Sequence, residues 1–360
     1  MDNNKLKILI IRLSAIGDTI HTLPMAYELR KFYPDSQIDW LVEKKAKHFV
    51  ENNPLIDNVY VVDRMSLKTF SRIESIVEKI RETVYDIAID TQQLFKSGAF
   101  LHMARAKRKI MLSGGREFSF IFANKIIKAK HKLFDPNYHV VNRNLEIVSY
   151  LNGENYEQNY EPVFVLPDIP DEVKIKVANL LKNKDNSKKT IVLSPFTTWD
   201  AKHFNDDFFS KVILKFKDRA NIVITGTDDD SEHLDEIFNC CNDENIPNDV
   251  INLCGKTDLM ELKEVFNQSD VVISLDSGSS QIAWATQKPF VISIFTSTSA
   301  KRTAPFGDNT KVFYPDISCY PCHQKVCKRH NRNYELCKKS IDYDEIFCEI
   351  EKQLNIPITI

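Results

Sequence analysis

The length, composition and charge of the chain exclude several classes of protein. Its 360 residues are 43% hydrophobic and 27% charged, which suits a globular protein of about two domains. The formal net charge of −2 argues against a general nucleic-acid-binding protein, because such proteins carry a strongly basic domain. No apolar stretch reaches the roughly 20 residues of a membrane span, and the first residues lead into a strand pattern instead of a signal peptide. We therefore expect a cytoplasmic protein.

Strand and helix patterns alternate along the first half of the chain. Apolar runs predict strands over 8–13 and at QIDWLVE, NVYVVD and YDIAID. Helical spacing predicts helices over 71–83 and 142–151, and Gly153 is a usual stop for the second. The segment 161–170, EPVFVLPDIP, contains three prolines and predicts a last strand followed by a linker.

A new series of helices and strands begins after that linker. A helix is predicted over 171–181, and strands follow at KKTIVLSPF, NIVITGT, VINLCG, DVVISLD and FVISIF, with a final helix over 342–354. Short apolar strands separated by helices favour parallel sheets with right-handed crossovers. We therefore predict an α/β protein of two Rossmann-like domains, 1–168 and 169–341. The C-terminal helix, within 342–360, is expected to pack back on the domains.

The loop SAIGD after the first strand delivers Asp18 to the start of a helix. One interpretation is structural, because Asp is among the best helix-capping residues. The other is functional: a carboxylate at this point can act as a general base. A second carboxylate, Asp276, ends the strand of DVVISLD. Since ligands bind at the carboxyl ends of strands in open α/β sheets, the two carboxylates predict one active site in a cleft between the domains.

Two further loops contain groups that bind phosphate. The loop FTTWDAKHFN presents Thr197, Thr198 and Lys202, which offer hydroxyls and an ammonium to a diphosphate; a solvated turn anchored by Trp199 is the alternative. The loop LDSGSSQ places Ser277 and Gly278 where a helix begins. The free amides of such a helix form an anion site, although a capped helix without a ligand has the same sequence pattern.

A basic stretch lies between Lys96 and Lys132, and Glu117 is its only acidic residue. A solvated protein surface explains such a run as well as a binding surface for an anionic acceptor does. Under the second interpretation Arg116 is the first candidate for acceptor binding. Three further candidates are Arg64, Lys68 and Lys96. Basic residues near a surface of anionic lipid also favour peripheral membrane contact.

A cysteine-rich segment, CYPCHQKVCKRHNRNYELC, lies near the C-terminus. Its four cysteines are compatible with a structural Zn or Fe site or with free thiols, and less so with disulfides. They are Cys319, Cys322, Cys327 and Cys337. The other cysteines lie in apolar patterns that predict core positions: Cys240, Cys241, Cys254 and Cys348.

The three loops, in their order and spacing, resemble the heptosyltransferases of lipopolysaccharide inner-core assembly, which form glycosyltransferase family 9. YDIAIDTQQLFKSGAF and INLCGKTDLMELKEVFNQSDVVISLDSG extend the resemblance along nearly the whole chain. Within the family, the N-terminal half looks most similar to heptosyltransferase I. The resemblance implies a GT-B fold, with the active site between two Rossmann-like domains and no catalytic metal.

The resemblance also implies residue roles. Asp18 would be the base, and Lys202 with Thr197 and Thr198 would hold the diphosphate of ADP-heptose. Asp276 would bind the heptose, Ser277 and Gly278 would contact phosphate through their backbone, and Asp228 would bind the ribose. Gln281 stands where the family commonly has a histidine, and a neutral amide supplies neither a proton nor a positive charge. Arg116 matches an acceptor-side arginine.

The function implied is inverting transfer of heptose from ADP-heptose to the Kdo of Kdo-lipid A, at the inner face of the inner membrane. Three alternatives remain open. One is an autotransporter-type protein heptosyltransferase with a cysteine-bound metal, and another is a sugar-nucleotide epimerase of similar fold. The third is a metal-binding scaffold that uses the cysteine segment to dock a partner.

Overall fold

A computed structural model describes residues 5–63, 70–156, 160–241 and 246–355. The chain divides into two compact units, Met1–Asp168 and Ile169–Ile360. Each unit is built around one six-stranded sheet in which every pair of neighbouring strands is parallel. Each sheet is flanked by helices, so both units are Rossmann-like, as the sequence predicts.

The sheet of unit 1 is centred on a fully buried strand. Its strands are β1 (Lys7–Ile11), β2 (Gln37–Glu43), β3 (Asn58–Val62), β4 (Tyr85–Asp90), β5 (Ala106–Leu112) and β6 (Lys125–Ile127). They lie in the order β3-β2-β1-β4-β5-β6. The run Ile8, Leu9, Ile10 and Ile11 has no solvent exposure, as expected for a central parallel strand that is covered by helices on both faces.

In the part of unit 1 that the structure describes there are five α-helices: α1 (Ile16–Ile20), α2 (Leu23–Phe32), α3 (Phe70–Glu82), α4 (Phe95–Met103) and α5 (Val140–Asn152). The predicted helices over 71–83 and 142–151 are confirmed as α3 and α5 to within two residues. Gly153 follows α5 with φ of 80°, a left-handed conformation that glycine adopts at low cost.

One predicted strand is wrong, and three real strands were not predicted. The segment 161–170 forms no strand, because its three prolines lack the N–H that a sheet ladder needs. The side-chain amide of Asn53 instead donates to the carbonyl of Val165. Strand β5 was missed because its exposed first half is basic, and β6 was missed because it has only three residues. The third missed strand, Thr310–Phe313, lies at one edge of the sheet of unit 2.

The sheet of unit 2 has a matching topology. Its strands are β7 (Lys189–Ser194), β8 (Ala220–Ile224), β9 (Val250–Asn252), β10 (Val271–Leu275), β11 (Phe290–Ile294) and β12 (Thr310–Phe313). They lie in the order β12-β11-β10-β7-β8-β9. The five strands predicted in this half are confirmed as β7 to β11.

Nine helices of the described residues belong to unit 2: α6 (Asp171–Leu180), α7 (Asp206–Phe216), α8 (Ser231–Cys240), α9 (Ile246–Asp249), α10 (Leu259–Asn267), α11 (Gly278–Thr286), α12 (Ala300–Thr303), α13 (Leu336–Lys339) and α14 (Tyr343–Leu354). The core prediction fails for Cys240 and Cys348, which are exposed, whereas Cys241 is buried. No helix within the described ranges is both long enough and apolar enough to span a membrane.

The C-terminal helix α14 is part of the core of unit 2. Ile346, Phe347, Ile350 and Leu354 lie in the same buried cluster as the residues of β7, β8 and β10. The ring of Phe347 stacks on Phe208 of α7, with 5.9 Å between the ring centroids. Helix α14 therefore completes the hydrophobic layer on one face of this sheet.

We expect Ile350→Ala to lower the free energy of unfolding of unit 2 by about 2–5 kcal/mol, because it leaves a cavity under α14. Ile350 has no solvent exposure. The matched control is Lys352→Ala on the exposed side of the same helix, for which we expect a change within about 0.5 kcal/mol. Denaturant unfolding measures both, and equal effects of the two substitutions would show that α14 is not part of the folding core.

Candidate functional site

The strand order reverses once in each sheet, and this reversal locates the candidate sites. In unit 1 the chain builds outward from β1 to β3 and returns to place β4 on the other side of β1. In unit 2 it builds outward from β7 to β9 and returns to place β10 beside β7. The loops on either side of such a reversal diverge and leave a crevice at the carboxyl ends of the strands. Each unit therefore has its own position for a ligand.

Asp18 lies at the reversal in unit 1. It is the third residue of α1, and its Oδ2 accepts a hydrogen bond of 3.2 Å from the amide of Ala15. The same oxygen lies 2.8 Å from Nη2 of Arg12, and 40% of the Asp18 side chain remains exposed. Asp18 thus stabilises the helix start from the first turn and still presents its carboxylate to solvent.

The surroundings of Asp18 keep its carboxyl ionised. Burial by itself raises the pKa of Asp18, but the charges of Arg12 and His21 and the amide of Ala15 lower it by more. The net pKa lies below the ordinary value of about 4. A proton acceptor must be deprotonated before it can act, and Asp18 meets this condition at neutral pH.

Arg12 is held in place by the neighbouring loop across the reversal. Its Nη1 donates to the carbonyl of Thr91, 2.7 Å away. Thr91 follows Asp90, a fully buried carboxyl that accepts from the amides of Gln92 and Gln93 and from the hydroxyl of Ser97, at 2.8, 3.0 and 2.9 Å. Burial raises the pKa of Asp90 to about 6, although these hydrogen bonds oppose the shift.

Arg12 and Asp90 were not selected from the sequence. Asp90 ends the apolar strand YDIAID, which is the same pattern that identified Asp276. The signal was therefore present. Arg12 directly follows β1, and in a sequence it is indistinguishable from any charged residue that ends a strand.

Two of the predicted acceptor-binding residues lie at the same edge of the sheet as Asp18. Lys96, on α4, forms an ion pair of 2.7 Å with Glu43, the last residue of β2. Arg116 follows β5, is half exposed, and lies 5.3 Å from the ring of Phe134. Arg64 and Lys68 fall outside the described residues.

The remaining basic residues do not all share that edge. Lys107, in the first half of β5, pairs with Asp86 at 2.8 Å. Asp86 lies near the start of β4, and Arg105 directly precedes β5. These charges therefore belong to the amino ends of the strands, away from Asp18, so the basic stretch is divided between the two edges of the sheet.

In unit 2 the reversal is bridged by an ion pair between Lys202 and Asp276. Lys202 ends a short 3₁₀ helix, Asp200–Lys202, in the loop after β7, and Asp276 directly follows β10. Lys202 Nζ lies 2.7 Å from Asp276 Oδ2, and the two side chains are only 18% and 11% exposed. The hydroxyl of Thr298 also donates to Asp276 Oδ2. The sequence predicted both charged residues but not that they pair.

Helix α11 begins beside this ion pair. Its N-cap is Ser277, whose side chain makes no capping hydrogen bond to the helix; the Ser277 hydroxyl lies 3.3 Å from that of Ser274. The first amides of a helix have no partners inside it, and Gly278 leaves the backbone uncovered. This start therefore has the properties of an anion site.

Arg302 and His323 lie near the same place, and their charges act on each other. The pKa of His323 is lowered by burial, by Arg302 and by Lys202, whereas Asp276 raises it. The amide of His323 donates to the carbonyl of Ser297 at 2.8 Å, so part of the cysteine-rich segment covers this edge of the sheet. Neither Arg302 nor His323 was selected from the sequence.

The other predicted donor-side residues differ in their placement. Thr197 and Thr198 lie in the loop that leads to Lys202, and Thr198 is exposed. Asp228 is exposed after β8 and lies against Gly255, where a Cβ would stand 1.7 Å from its Oδ1. Its neighbour Asp230 instead caps its own loop through Thr227. Gln281 is buried, and its amide donates to the carbonyl of Thr303.

The predicted metal site at the four cysteines stays a prediction. Across the described ranges, no group of three or more His, Cys, Asp or Glu side chains has an arrangement that could hold an ion. Cys319, Cys322, Cys327 and Cys337 are free thiols. The amide of Glu335 donates to the sulfur of Cys327, and burial raises the pKa of Cys337 to about 11.

The fold and the two polar edges define a class of protein. Two Rossmann-like units, one with an anion site at a helix start and the other with an ionised carboxylate, suit an enzyme that acts on a nucleotide-bound group. The family profile described as glycosyltransferase family 9 (heptosyltransferase) matches residues 73–332. The chain therefore belongs to glycosyltransferase family 9.

Individual relatives and solved structures agree with this assignment. Lipooligosaccharide heptosyltransferase 2 of Campylobacter jejuni is 24% identical over 98% of each chain. The crystal structure of a family 9 glycosyl transferase from Veillonella parvula superposes with a TM-score of 0.80 at 17% identity, over 99% of each chain. Escherichia coli heptosyltransferase WaaC with ADP gives 0.71 at 20% identity, over 97% of this chain and 100% of that one.

These similarities bear on two predictions. The solved structures show that the fold is of the GT-B type, as predicted. The relatives include lipopolysaccharide or lipooligosaccharide heptosyltransferases 1, 2 and 3. The similarities therefore do not distinguish heptosyltransferase I from the other heptosyltransferases.

We expect Arg12→Gln to raise the pKa of Asp18, because burial remains while the strongest opposing charge is lost. The folded-state pKa of Asp18 is depressed, so its ionised form contributes stability above about pH 4 that is lost as the pH falls through the folded value. An NMR titration of the Asp18 carboxyl carbon measures the shift. The matched control is Arg30→Gln, which breaks a similar pair with Asp57. An unchanged titration of Asp18 in Arg12→Gln would contradict the role assigned to Arg12.

Proposed function

We propose that this protein is an inverting heptosyltransferase of lipopolysaccharide core synthesis, which transfers heptose from ADP-heptose to the Kdo of Kdo-lipid A. Family membership supports glycosyl transfer. The observation that carries the finer proposal is the Lys202–Asp276 pair at the start of α11, because it combines a cation, a carboxylate and free helix amides where a sugar diphosphate needs all three. Solved neighbours include heptosyltransferase WaaC with ADP and with ADP-2-deoxy-2-fluoro heptose.

The donor is proposed to bind at the carboxyl edge of the sheet of unit 2. Lys202 and the α11 amides contact the diphosphate, and the hydroxyls of Thr197 and Thr198 add hydrogen bonds. Asp276 accepts from hydroxyls of the heptose, and Asp228 accepts from those of the ribose. A carboxylate beside phosphates is repelled unless cations lie between them. Lys202 and Arg302 are placed to provide that compensation.

The acceptor is proposed to bind at the corresponding edge of unit 1. Kdo-lipid A carries carboxylates and phosphates, which suit Lys96 and Arg116 together with the predicted contacts Arg64 and Lys68. Asp18 takes the proton of the acceptor hydroxyl. A single active site shared by the two units stays a prediction. The proposed reaction requires it, because the activated hydroxyl must reach the bound donor.

The chemistry follows from these roles. As Asp18 takes the proton, the acceptor oxygen forms a bond to the anomeric carbon from the face opposite the phosphate. The bond from that carbon to the phosphate oxygen breaks, and ADP leaves with the electron pair. Lys202 and the helix amides stabilise the charge that develops on ADP, and fixed donors of this kind are often the largest contribution to rate. We propose no catalytic metal, because these cationic groups supply the positive charge.

The acceptor also determines where the protein works. A glycolipid made at the inner membrane is reached from the cytoplasm, so we propose a cytoplasmic protein that contacts the membrane surface peripherally.

The direct test of the proposed transfer reaction is mass spectrometry of Kdo-lipid A after incubation with the protein and ADP-heptose. A heptosylated product supports the proposal. Conversion of the sugar nucleotide without an acceptor would indicate an epimerase, and transfer only to a protein acceptor would indicate the autotransporter class.

We expect Asp18→Asn to lower turnover about 10²–10⁴-fold, because a positioned general base contributes on that scale. ADP should still raise the melting temperature as it does in the wild type, since Asp18 lies in the other unit. The control is Asp57→Asn, which alters an arginine–carboxylate pair of 2.7 Å in the same unit. Near-normal turnover of Asp18→Asn would remove Asp18 from the mechanism.

We expect Lys202→Ala to raise the KM for the donor and to lower turnover, each by about tenfold or more. The KM rises because a charged hydrogen bond to the bound diphosphate is lost, and turnover falls because that bond is stronger in the transition state, where charge develops on ADP. Lys202→Arg should restore part of the loss. Lys189→Ala is the matched control, since Lys189 pairs with Asp270 at 2.6 Å at the opposite ends of the same two strands. Steady-state kinetics with varied ADP-heptose measure the effects, and equal kinetics for Lys202→Ala and the control would place the diphosphate elsewhere.

A further inference from the structure

The indole ring of Trp199 lies under two ammonium groups in unit 2. Nζ of Lys202 lies 4.8 Å from the ring centroid, and Nζ of Lys325 lies 5.8 Å from it. A cation over an aromatic face is attracted by the negative charge of that face. Lys325 belongs to the cysteine-rich segment and was not selected from the sequence. One ring therefore brings a second lysine, from a distant part of the chain, close to the lysine already assigned to the diphosphate.

Main-chain hydrogen bonds fix Lys325 against the loop after β7. The amide of Ala201 donates to the carbonyl of Lys325 at 3.0 Å. The carbonyl of Ala201 accepts from the hydroxyl of Thr296 at 2.6 Å, and the amide of His323 donates to the carbonyl of Ser297 at 2.8 Å. Both segments are thus attached to the residues that follow β11. The backbone therefore determines where the Lys325 side chain begins.

The ammonium of Lys325 has no carboxylate partner among the described residues. No carboxylate oxygen of the described ranges lies within 4.0 Å of its Nζ, and the side chain is exposed. Glu335 is the only acidic residue from Cys319 to Lys339, and it pairs with Lys338 at 2.7 Å. The positive charge of Lys325 is therefore available to a ligand.

The charged groups around this place have a positive excess. Asp276 compensates Lys202, with which it pairs at 2.7 Å. Arg302 contributes a further positive charge near this edge, and Lys325 adds another. Against these two stands Asp200, an exposed carboxylate in the loop before Lys202. A diphosphate that links a nucleoside to a sugar carries one negative charge on each phosphate, and such a ligand would balance the excess.

We propose that Lys325 binds the diphosphate of the donor together with Lys202. Phosphate oxygens accept hydrogen bonds from ammonium groups, and bonds between charged partners are the stronger ones. Trp199 holds the two ammonium groups near each other, where they would otherwise repel, until the ligand binds. The inference rests on the proposed function for the identity of the donor. It adds a binding residue and gives the cysteine-rich segment a part in the donor site.

The test is calorimetric titration of the full-length protein with ADP. We expect Lys325→Met, which keeps the length of the side chain and removes its charge, to weaken ADP binding about three- to tenfold. The effect should be smaller than that of Lys202→Ala, because solvent screens an exposed charge. Lys325→Arg should restore most of the affinity. If Lys325 only packs on the Trp199 ring, Lys325→Met will bind ADP like the wild type, and the proposal is wrong.

The matched control is Lys328→Met, three residues further along the same segment. Lys328 is also exposed, and among the described residues it is not one of the cations over the Trp199 ring. Its substitution changes the net charge by the same amount, so we expect ADP to bind this variant as it binds the wild type. Equal losses in Lys325→Met and Lys328→Met would show a general charge effect and would overturn the proposal.

Fluorescence gives a second readout of where the diphosphate binds. Trp40 and Trp284 are buried, whereas Trp199 is partly exposed. Iodide should therefore quench the emission of Trp199 in particular, and ADP should protect it, because the diphosphate occupies the cations beside the ring. Quenching by iodide that ADP leaves unchanged would place the diphosphate away from Trp199 and Lys325.

Failure of this proposal can be told apart from failure of the proposed function. If ADP affinity depends on Lys325 while no heptose reaches Kdo-lipid A, the proposed function fails and the phosphate contact stands. If transfer is normal while Lys325→Met binds ADP like the wild type, the contact fails alone. A wild-type protein with no measurable affinity for ADP would overturn both.

Discussion

In a parallel sheet every strand ends at the same edge, and this constraint determines where the chemistry of the protein is concentrated. The loops that leave β1 and β4, or β7 and β10, are far apart in sequence but start side by side. At the reversal of strand order their helices go to opposite faces of the sheet, so the loop backbones separate. Charged residues such as Asp18 in unit 1, and Lys202 and Asp276 in unit 2, can then lie at the crevice of their own sheet without being packed under a helix.

The two candidate sites use ion pairs of different character. Arg12 and Asp18 form a pair whose carboxylate is still accessible, which suits a group that must exchange a proton. Lys202 and Asp276 form a pair that is nearly covered, and both of its members contact other groups, namely Trp199 and Thr298. A covered pair keeps its geometry and interacts strongly because less water screens it. Such a pair suits binding and charge stabilisation more than proton transfer.

The supporting residues explain why the pairs have these geometries. Asp90 organises the loop that holds Arg12, and it does so from a fully buried position where its charge is costly. The segment with His323 lies over the edge that carries Asp276 and is tied to it by the hydrogen bond from the His323 amide to the Ser297 carbonyl. Removal of either support would leave the reactive residues present but badly aimed, which is a common way for enzymes to lose activity.

The sequence by itself determined the α/β class, the strands of the central sheets and the three loops that carry Asp18, Lys202 and Asp276. Buried parallel strands are continuous apolar runs, and the loops after them combine glycine, hydroxyl and charged residues, so both signals are local. The sequence failed where the signal is not local or is masked by charge. The proline-rich segment 161–170 has the apolar composition of a strand but forms no backbone hydrogen-bond ladder with a sheet. Strand β5 does form such a ladder, but its basic first half hides the strand pattern.

The tertiary structure alone decided which charges meet. Lys202 and Asp276 are separated by a long stretch of chain, and only the insertion of β10 beside β7 brings them to 2.7 Å. The same is true of Arg12 and Thr91, and of the division of the basic stretch between two edges of one sheet. Pairing between distant segments depends on strand order, which no single stretch of sequence encodes. The charged site residues could therefore be predicted from the sequence, whereas the residues that they pair with could not.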